Sequence, residues 1–196
     1  MKEISCILDA EKHLDGVRAV VFDLDDTLYS EKDYIRSGFA AASPENAAAL
    51  WAAFSAGKPA FDTVVPTEKA AALERYRSHF PNISLYDGVA EMLTRIRKSG
   101  KKLGLLTDGR PEGQRQKIIA LGLRELFDEI IITDELGGAM YRKPCDRAFC
   151  LMRERLDVPY TEMIYIGDNP AKDFIAPEKL GMKTLYFKNP DGLYSG

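Results

Sequence analysis

The chain has 196 residues, 45% of them hydrophobic and 29% charged, which is enough for one domain with a sizeable core or for one domain with a small insert. Its formal net charge of -3 argues against a nucleic acid as the main partner, because binding a phosphate backbone needs an excess of basic residues. No apolar run approaches membrane-spanning length, and the N-terminal segment carries acids where a signal peptide needs an apolar stretch, so we expect a cytoplasmic protein without a membrane partner.

The first sixteen residues predict a short amphipathic helix. Ile4, Ile7 and Leu14 fall near helical spacing, and Gly16 would end the helix before the next apolar run. Nothing in this segment indicates a function.

The run from Ala19 to Phe22 predicts a buried strand of a parallel sheet, because it is apolar on both faces. Asp23 and Asp25 follow its carboxyl end, where ligands bind in open parallel sheets. Side chains two residues apart on an extended backbone can face one crevice, where a magnesium ion would relieve the repulsion between two carboxylates. The pattern suits a carboxylate nucleophile beside a carboxyl that handles protons, and it suits an acidic turn that caps a helix equally well.

Residues 30–85 predict a helical insert. An alanine-rich helix covers 46–54 and a second helix covers 67–79, with no strand pattern between them. The chain is therefore divided into a core of residues 1–29 and 86–196 and a helical cap of residues 30–85. The aromatic side chains of the insert fall at helical spacing, and we interpret most of them as core rather than as a substrate pocket: Trp51, Phe54, Phe61, Tyr76 and Phe80.

From residue 86 the chain alternates between helices and strands. Together with strand 19–22, this alternation predicts an α/β fold, a three-layer Rossmann-like parallel sheet of about five strands with helices on both faces. The further predicted strands cover residues 102–106, 129–133, 163–166 and 184–187.

Polar residues also follow the later strands. Thr107 and Gly109 offer a hydroxyl and an approachable main chain, which suit a phosphoryl group. Lys143 stands in a loop before a proline, where a lysine taken alone is a solvated charge. Asp168 and Asp173 follow the strand at 163–166, and an Asp-Asn-Pro turn that caps a helix explains them as well.

These four groups resemble, in order, the four motifs of the haloacid dehalogenase superfamily, whose members are mostly magnesium-dependent phosphohydrolases. Each match lies at a predicted strand end or in the following loop, and together they cover the chain from Val17 to about Phe187. An insert between the first and second motifs is similar to the helical cap of the subclass that acts on small metabolites. The matching stretches are DLDDTL at 23–28, TDG at 107–109, RKP at 142–144 and GDNPAKD at 167–173.

The resemblance implies roles for the catalytic residues. Asp23 would attack the substrate phosphorus and form an aspartyl-phosphate, and Asp25 would protonate the leaving oxygen and then activate water. Thr107, Asp108 and the nearby main chain would bind the phosphoryl oxygens, and Lys143 would stabilise their negative charge. This division of labour fits phosphoryl transfer, which depends mainly on positioning and charge neutralisation.

The resemblance also implies a Mg²⁺ cofactor. The ion would be bound by the carboxylates of Asp23 and Asp168 and by the main-chain carbonyl of Asp25, while Asp173 would hold Lys143. Superfamily members that remove halogens generally lack an acid two residues after the nucleophile, so Asp25 favours phosphate chemistry.

The substrate implied is a small phosphorylated metabolite, such as a sugar phosphate, a nucleotide or a similar monoester, with Arg110 as one candidate contact. A phosphomutase would share all four motifs, although the insert shows no basic cluster for a second phosphate. A non-catalytic phospho-binding domain would also have a parallel sheet with an aspartate and a lysine, but such domains place the aspartate on a later strand. Nothing in the sequence indicates the oligomeric state.

Overall fold

The computed structural model describes residues 2–193, so residue 1 and residues 194–196 of the predicted core lie outside the described part. A six-stranded sheet, parallel throughout, forms its centre, in the order β1-β6-β5-β2-β3-β4. The strands are β1 (Lys2–Ile4), β2 (Ala19–Phe22), β3 (Lys102–Thr107), β4 (Glu129–Ile132), β5 (Met163–Gly167) and β6 (Lys183–Phe187). This arrangement confirms the predicted α/β fold with a parallel sheet.

Seven α-helices accompany the strands in the described residues, and none of them is long and apolar enough to cross a membrane. The first three fall within the predicted insert, and the last four alternate with the strands. They are α1 (Glu31–Ala42), α2 (Ala47–Ser55), α3 (Lys69–Ser78), α4 (Val89–Lys98), α5 (Pro111–Ala120), α6 (Arg147–Leu156) and α7 (Ile175–Leu180).

The central strand β2 is covered on both faces. Val20 and Phe22 belong to one apolar cluster, which also contains the buried side chains of α4 and Ile118 of α5. Ala19 and Val21 point the other way, into a cluster with the buried side chains of α6. Because successive side chains of a strand alternate, an all-apolar run is what two covered faces require.

The amino-terminal segment differs from the prediction. Lys2–Ile4 is an edge strand paired in parallel with β6, and Ile7–His13 forms a 3-10 helix. The prediction of a short amphipathic helix is therefore wrong for residues 2–4, and residues 7–13 form a helix of 3-10 type. The sheet has six strands rather than about five. A three-residue strand is too short to show the alternating pattern of apolar and polar residues that predicts a strand. This strand forms because its backbone pairs with residues near the other end of the chain.

The predicted insert begins and ends at neighbouring segments. Tyr29 and Leu85 form an antiparallel bridge, and the main-chain N–H of Tyr86 donates to the carbonyl of Leu28 at 3.0 Å. The chain thus leaves the sheet and returns to it side by side, close to the predicted boundaries at 30 and 85.

The aromatic residues of the insert pack mainly on one another. Phe39 of α1 lies 6.1 Å from Phe54, 5.9 Å from Phe61 and 5.6 Å from Tyr76, measured between ring centroids. This agrees with their interpretation as core. Phe80 is the exception, since it is 64% exposed, and this is consistent with the interpretation of most of these residues as core.

Candidate active site

The candidate site lies where β5, β2 and β3 end side by side. This edge brings together the residues that follow the three strands, because parallel strands present their carboxyl ends at one edge of a sheet. A cavity of about 350 Å³ opens there, with Asp23, Asp25, Asp168, Arg142, Lys143 and Lys172 among its lining residues. Acids and bases that lie far apart in the chain thus share one crevice.

Lys143 is the cation at the centre of the acidic group. Its Nζ lies 2.7 Å from Oδ1 of Asp23 and 2.8 Å from Oδ1 of Asp173, and it donates to the Tyr165 hydroxyl at 2.9 Å. Burial alone would lower the pKa of Lys143, but Asp173 and Asp23 hold it well above its ordinary value. The side chain therefore stays charged although it is fully buried.

The negative charge of this group exceeds what its cations neutralise. Asp173 is engaged by Lys143 and by the main-chain N–H of Asn169, which donates to its Oδ2 at 2.9 Å. Asp168 accepts only from the Thr27 hydroxyl, at 3.3 Å, among the hydrogen bonds of the described residues. Burial raises the pKa of Asp23 to about 6, and burial together with the neighbouring Asp23 raises the pKa of Asp168 to about 8.

Such a donor set suits a divalent cation. One carboxylate oxygen from each of Asp23, Asp168 and Asp173 lies within 4.8 Å of the others. Since Asp173 is already paired with Lys143, the carboxylates left for a metal are those of Asp23 and Asp168. Buried oxygen ligands with excess negative charge are what Mg²⁺ prefers, so the residues present fit the ion.

Asp25 has hydrogen-bond and ion-pair partners that differ from those of Asp23, Asp168 and Asp173. Lys117 Nζ lies 2.7 Å from Oδ1, Gln114 Nε2 donates to Oδ2 at 2.9 Å, and the Tyr29 hydroxyl also donates to Oδ1. Burial alone would raise the pKa of Asp25, but Lys117 and these hydrogen bonds lower it below its ordinary value. The carboxyl group is therefore held as a carboxylate.

The predicted phosphate-binding residues Thr107 and Asp108 have different hydrogen-bond partners. Thr107 is fully buried, and its Oγ1 accepts from Gln114 Nε2 at 3.0 Å. The Asp108 carboxylate accepts from the Thr133 hydroxyl at 2.9 Å and pairs with Lys172 at 3.1 Å. Asp108 and Gly109 both line the cavity, and an anion there can approach the main chain at Gly109.

A smaller cavity of about 210 Å³ adjoins the first and shares Asp25 and Glu31 with it. Tyr34, Tyr76 and Arg110 lie along its wall. Within residues 2–193 the Arg110 guanidinium takes part in neither a hydrogen bond nor an ion pair. Burial and the nearby Asp25 raise the pKa of Glu31 to about 8.

Sequence reasoning missed several of these residues. Lys172 lies inside the fourth matching stretch, where only its acids were singled out, and Lys117 and Gln114 lie beyond the second stretch. The spacing of three residues between Gln114 and Lys117 on α5 was an available signal, because it places both side chains on one helix face. Their contacts with Asp25 span 89 and 92 residues of sequence, which no local pattern indicates.

A family model described as haloacid dehalogenase-like hydrolase matches residues 17–181. The glyceraldehyde 3-phosphate phosphatase of Pyrococcus abyssi (strain GE5 / Orsay) is 30% identical over 119 residues, which cover 61% of this chain and 49% of that protein. The chain thus spans about half the length of that relative. The glyceraldehyde 3-phosphate phosphatase of Methanocaldococcus jannaschii is 26% identical over 194 residues, covering 86% of this chain and 84% of that protein.

Among solved structures, the chain resembles one described as a predicted phosphoglycolate phosphatase from Haemophilus somnus 129pt. The TM-score is 0.64 at 18% sequence identity, and the match covers 87% of this chain and 85% of that chain. This likeness shows a shared fold.

Proposed function

This chain belongs to the haloacid dehalogenase-like hydrolase family, and on that premise we propose that it is a magnesium-dependent phosphatase that hydrolyses a small phosphorylated metabolite through an aspartyl-phosphate. The observation that carries the proposal is the pair of buried carboxylates, Asp23 and Asp168, beside the Lys143 ammonium at the carboxyl end of the sheet. The phosphatases among the relatives support the same reaction class.

Asp23 is the proposed nucleophile. A bond forms between its carboxylate oxygen and phosphorus while the bond from phosphorus to the leaving oxygen breaks, and Asp25, after taking up a proton from solvent, passes that proton to the leaving oxygen. Asp25 then accepts a proton from water as the water oxygen displaces Asp23 from phosphorus. Lys143, 2.7 Å from Asp23, supplies positive charge at the reacting centre throughout.

The carboxylates of Asp23 and Asp168, with the main-chain carbonyl of Asp25, would hold Mg²⁺. The ion would supply charge neutralisation for the phosphoryl oxygens. Lys172 and the main chain at Gly109 line the same cavity and would complete the anion site.

The size of the second cavity favours a short substrate. It has a volume of about 210 Å³ beside the 350 Å³ of the first cavity, which leaves limited room for the leaving group once the phosphoryl group occupies the first cavity. Among sugar phosphates, nucleotides and short organic phosphates, we therefore favour a short ester whose leaving group contacts Arg110 and Tyr34.

The test is phosphate release from a panel of phosphorylated metabolites, with Mg²⁺ and with a chelator, for the unmodified protein and Asp23→Asn. We expect magnesium-dependent release that falls at least about 1,000-fold in Asp23→Asn, because the amide cannot act as the nucleophile. Asp33→Asn is the matched control, since Asp33 is an exposed acid on α1 paired with Arg36. Release that survives Asp23→Asn, or an intact protein that releases phosphate from no ester, would contradict the proposal.

A further inference from the structure

Asp26 lies inside the first matching stretch, in a backbone conformation that residues other than glycine adopt infrequently. Its φ is 52°, in the left-handed region, and the residue is buried. Such a conformation persists where the surrounding structure holds it. The peptide unit that enters Asp26 carries the Asp25 carbonyl, and a peptide unit is planar. The φ angle of Asp26 therefore sets the direction of the Asp25 carbonyl relative to the rest of Asp26.

Three hydrogen-bond donors hold Asp26 in place. The main-chain N–H of Glu31, at the start of α1, donates to its Oδ1 at 2.9 Å. The main-chain N–H of Leu193 donates to its Oδ2 at 2.7 Å, and Asn189 Nδ2 donates to its main-chain carbonyl at 2.8 Å. All three donors are neutral, so they fix this part of the chain without neutralising the negative charge that a cation needs.

Asn189 is itself fixed by its other contacts. It lies two residues beyond β6, where the main-chain N–H of Lys188 donates to the carbonyl of Ile4 at 2.8 Å and extends the pairing with β1. Its Nδ2 also donates to the Tyr86 hydroxyl at 2.8 Å, and its Oδ1 accepts from the main-chain N–H of Asp191 at 3.0 Å. Because an N–H can only donate and a carbonyl can only accept, these partners determine the orientation of the amide. The side chain, 5% exposed, thus links the sheet firmly to the first matching stretch.

We propose that Asn189 is a positioning residue for the magnesium site, which holds the Asp26 main chain and so fixes the direction of the Asp25 carbonyl. The inference rests on the proposed function, which assigns this carbonyl to Mg²⁺ together with the carboxylates of Asp23 and Asp168. Mg²⁺ demands near-ideal octahedral geometry, so a ligand whose direction varies binds it less tightly. Groups that orient the ligands of a metal typically contribute a factor of about 10–100 to its affinity.

The test is isothermal titration calorimetry of Mg²⁺ into the unmodified protein and into Asn189→Leu. Leucine has a shape similar to that of asparagine but no donor for the Asp26 carbonyl, so we expect the Kd for Mg²⁺ to rise at least about tenfold. In phosphate release, the Mg²⁺ concentration for half-maximal rate should rise by the same factor, whereas KM for the ester and kcat at saturating Mg²⁺ should change little. A loss of stability alone would leave the Kd of the folded protein unchanged.

Tyr86→Phe is the matched control. It removes the other acceptor of the Asn189 amide group and keeps the hydrogen bond to Asp26, so its Kd for Mg²⁺ should equal that of the unmodified protein. Asn189→Asp is the second variant if Asn189→Leu does not fold, because a carboxylate still accepts from the Asp191 N–H but cannot donate to Asp26. Its added negative charge would by itself tighten the binding of a cation, so weaker binding identifies the lost donor.

The results distinguish this inference from the proposed function. A Kd for Mg²⁺ that is unchanged in Asn189→Leu and Asn189→Asp, or that rises equally in Tyr86→Phe, would overturn the positioning role and leave the phosphatase proposal standing. An unmodified protein that binds no Mg²⁺ would overturn the proposed magnesium site and this inference with it. An unmodified protein that binds Mg²⁺ but releases phosphate from no ester would overturn the phosphatase proposal alone, since the titrations still measure what Asn189 does for the site.

Discussion

At the scale of single residues, Asp168 is a buried acid whose charge has little compensation. It accepts the Thr27 hydroxyl at 3.3 Å, and burial beside Asp23 raises its pKa from the ordinary 3.8 to about 8. The folded protein therefore keeps a proton that the unfolded chain loses near pH 4. Between these two values the folded state binds more protons, so its stability falls as the pH rises.

We expect Mg²⁺ to stabilise the protein more at pH 8 than at pH 5.5. A bound cation replaces the proton that Asp168 otherwise holds, and at acid pH the proton competes with it. With Mg²⁺ at about a hundred times its dissociation constant, the stabilisation is about 2.7 kcal/mol, or roughly 5–10 °C in Tm for a domain of this size. Thermal unfolding with Mg²⁺ and with a chelator at the two pH values measures the difference.

Asp168→Asn is the control for that measurement. The amide carries no charge, so the variant should lose most of the Mg²⁺-dependent shift and should be more stable than the unmodified protein in chelator at pH 8. A shift of the same size at both pH values, or in the variant, would count against a metal site at Asp168.

Which residues of the site could be predicted depends on where their partners lie. Asp23, Lys143 and Asp168 stand directly at strand ends or in a motif, so residue type and spacing single them out. Lys117 has no such position in the sequence, because it is marked out only by its contacts with Asp25 and Tyr34, which lie far from it along the chain. The burial of a single charged residue in a helix depends on the fold, and the neighbouring sequence does not indicate it.

At the scale of elements, the close packing of α1 on α3 depends on Gly38. A Cβ atom at this position would lie 2.6 Å from Cδ2 of Tyr76 and 3.1 Å from Cε1 of His79. Both neighbours are ring atoms packed within the aromatic group of the insert, so neither can move away cheaply.

Gly38→Ala should therefore destabilise the protein by about 1–3 kcal/mol, although alanine is the better helix former. Gly113→Ala on α5 is the matched comparison, because a Cβ there would meet only the Tyr34 hydroxyl, at the ordinary distance of 3.5 Å. That variant should be neutral or more stable by up to about 1 kcal/mol. Urea denaturation of the two variants distinguishes them, and Gly38→Ala with undiminished stability would show that α1 and α3 are not tightly packed.

The sequence predicts a helix or strand well where the apolar pattern of its own side chains determines which one forms. The strands β2, β3 and β5 are apolar on both faces, and α4 buries Val89, Met92, Leu93 and Ile96 at helical spacing, as the sequence predicts. The strand β1 is determined by main-chain pairing with β6 at the opposite end of the chain, which is why residues 2–4 form a strand and not part of the predicted helix.

At the scale of the whole molecule, we propose that residues 30–85 form a cap that opens independently of the sheet. The support is the paired entry and exit at Tyr29 and Leu85 and the aromatic group internal to the insert. Tyr34 and Tyr76 of this segment line the smaller cavity, so opening would expose that cavity to solvent.

Hydrogen exchange tests the division. We expect the amides of α1 and α3 to exchange through openings of lower free energy than those of β2, β3 and β5, because a separate unit opens without disrupting the sheet. Inorganic phosphate with Mg²⁺ should slow exchange at the strand ends. Equal protection in the insert and in the central strands would mean that the molecule opens as one unit.

The adjacency of Tyr29 and Leu85 also has a consequence for how such a protein can diversify. Since the chain departs and returns at neighbouring points, an insert of another length or sequence can be joined there without moving the strands that carry Asp23, Thr107 and Asp168. Under the proposed function, changes in the insert can therefore alter which molecule is accepted while the proposed reacting groups keep their places. Selection can then act on substrate preference through the segment that encodes the insert, and on the reaction itself through the segments that encode the strands.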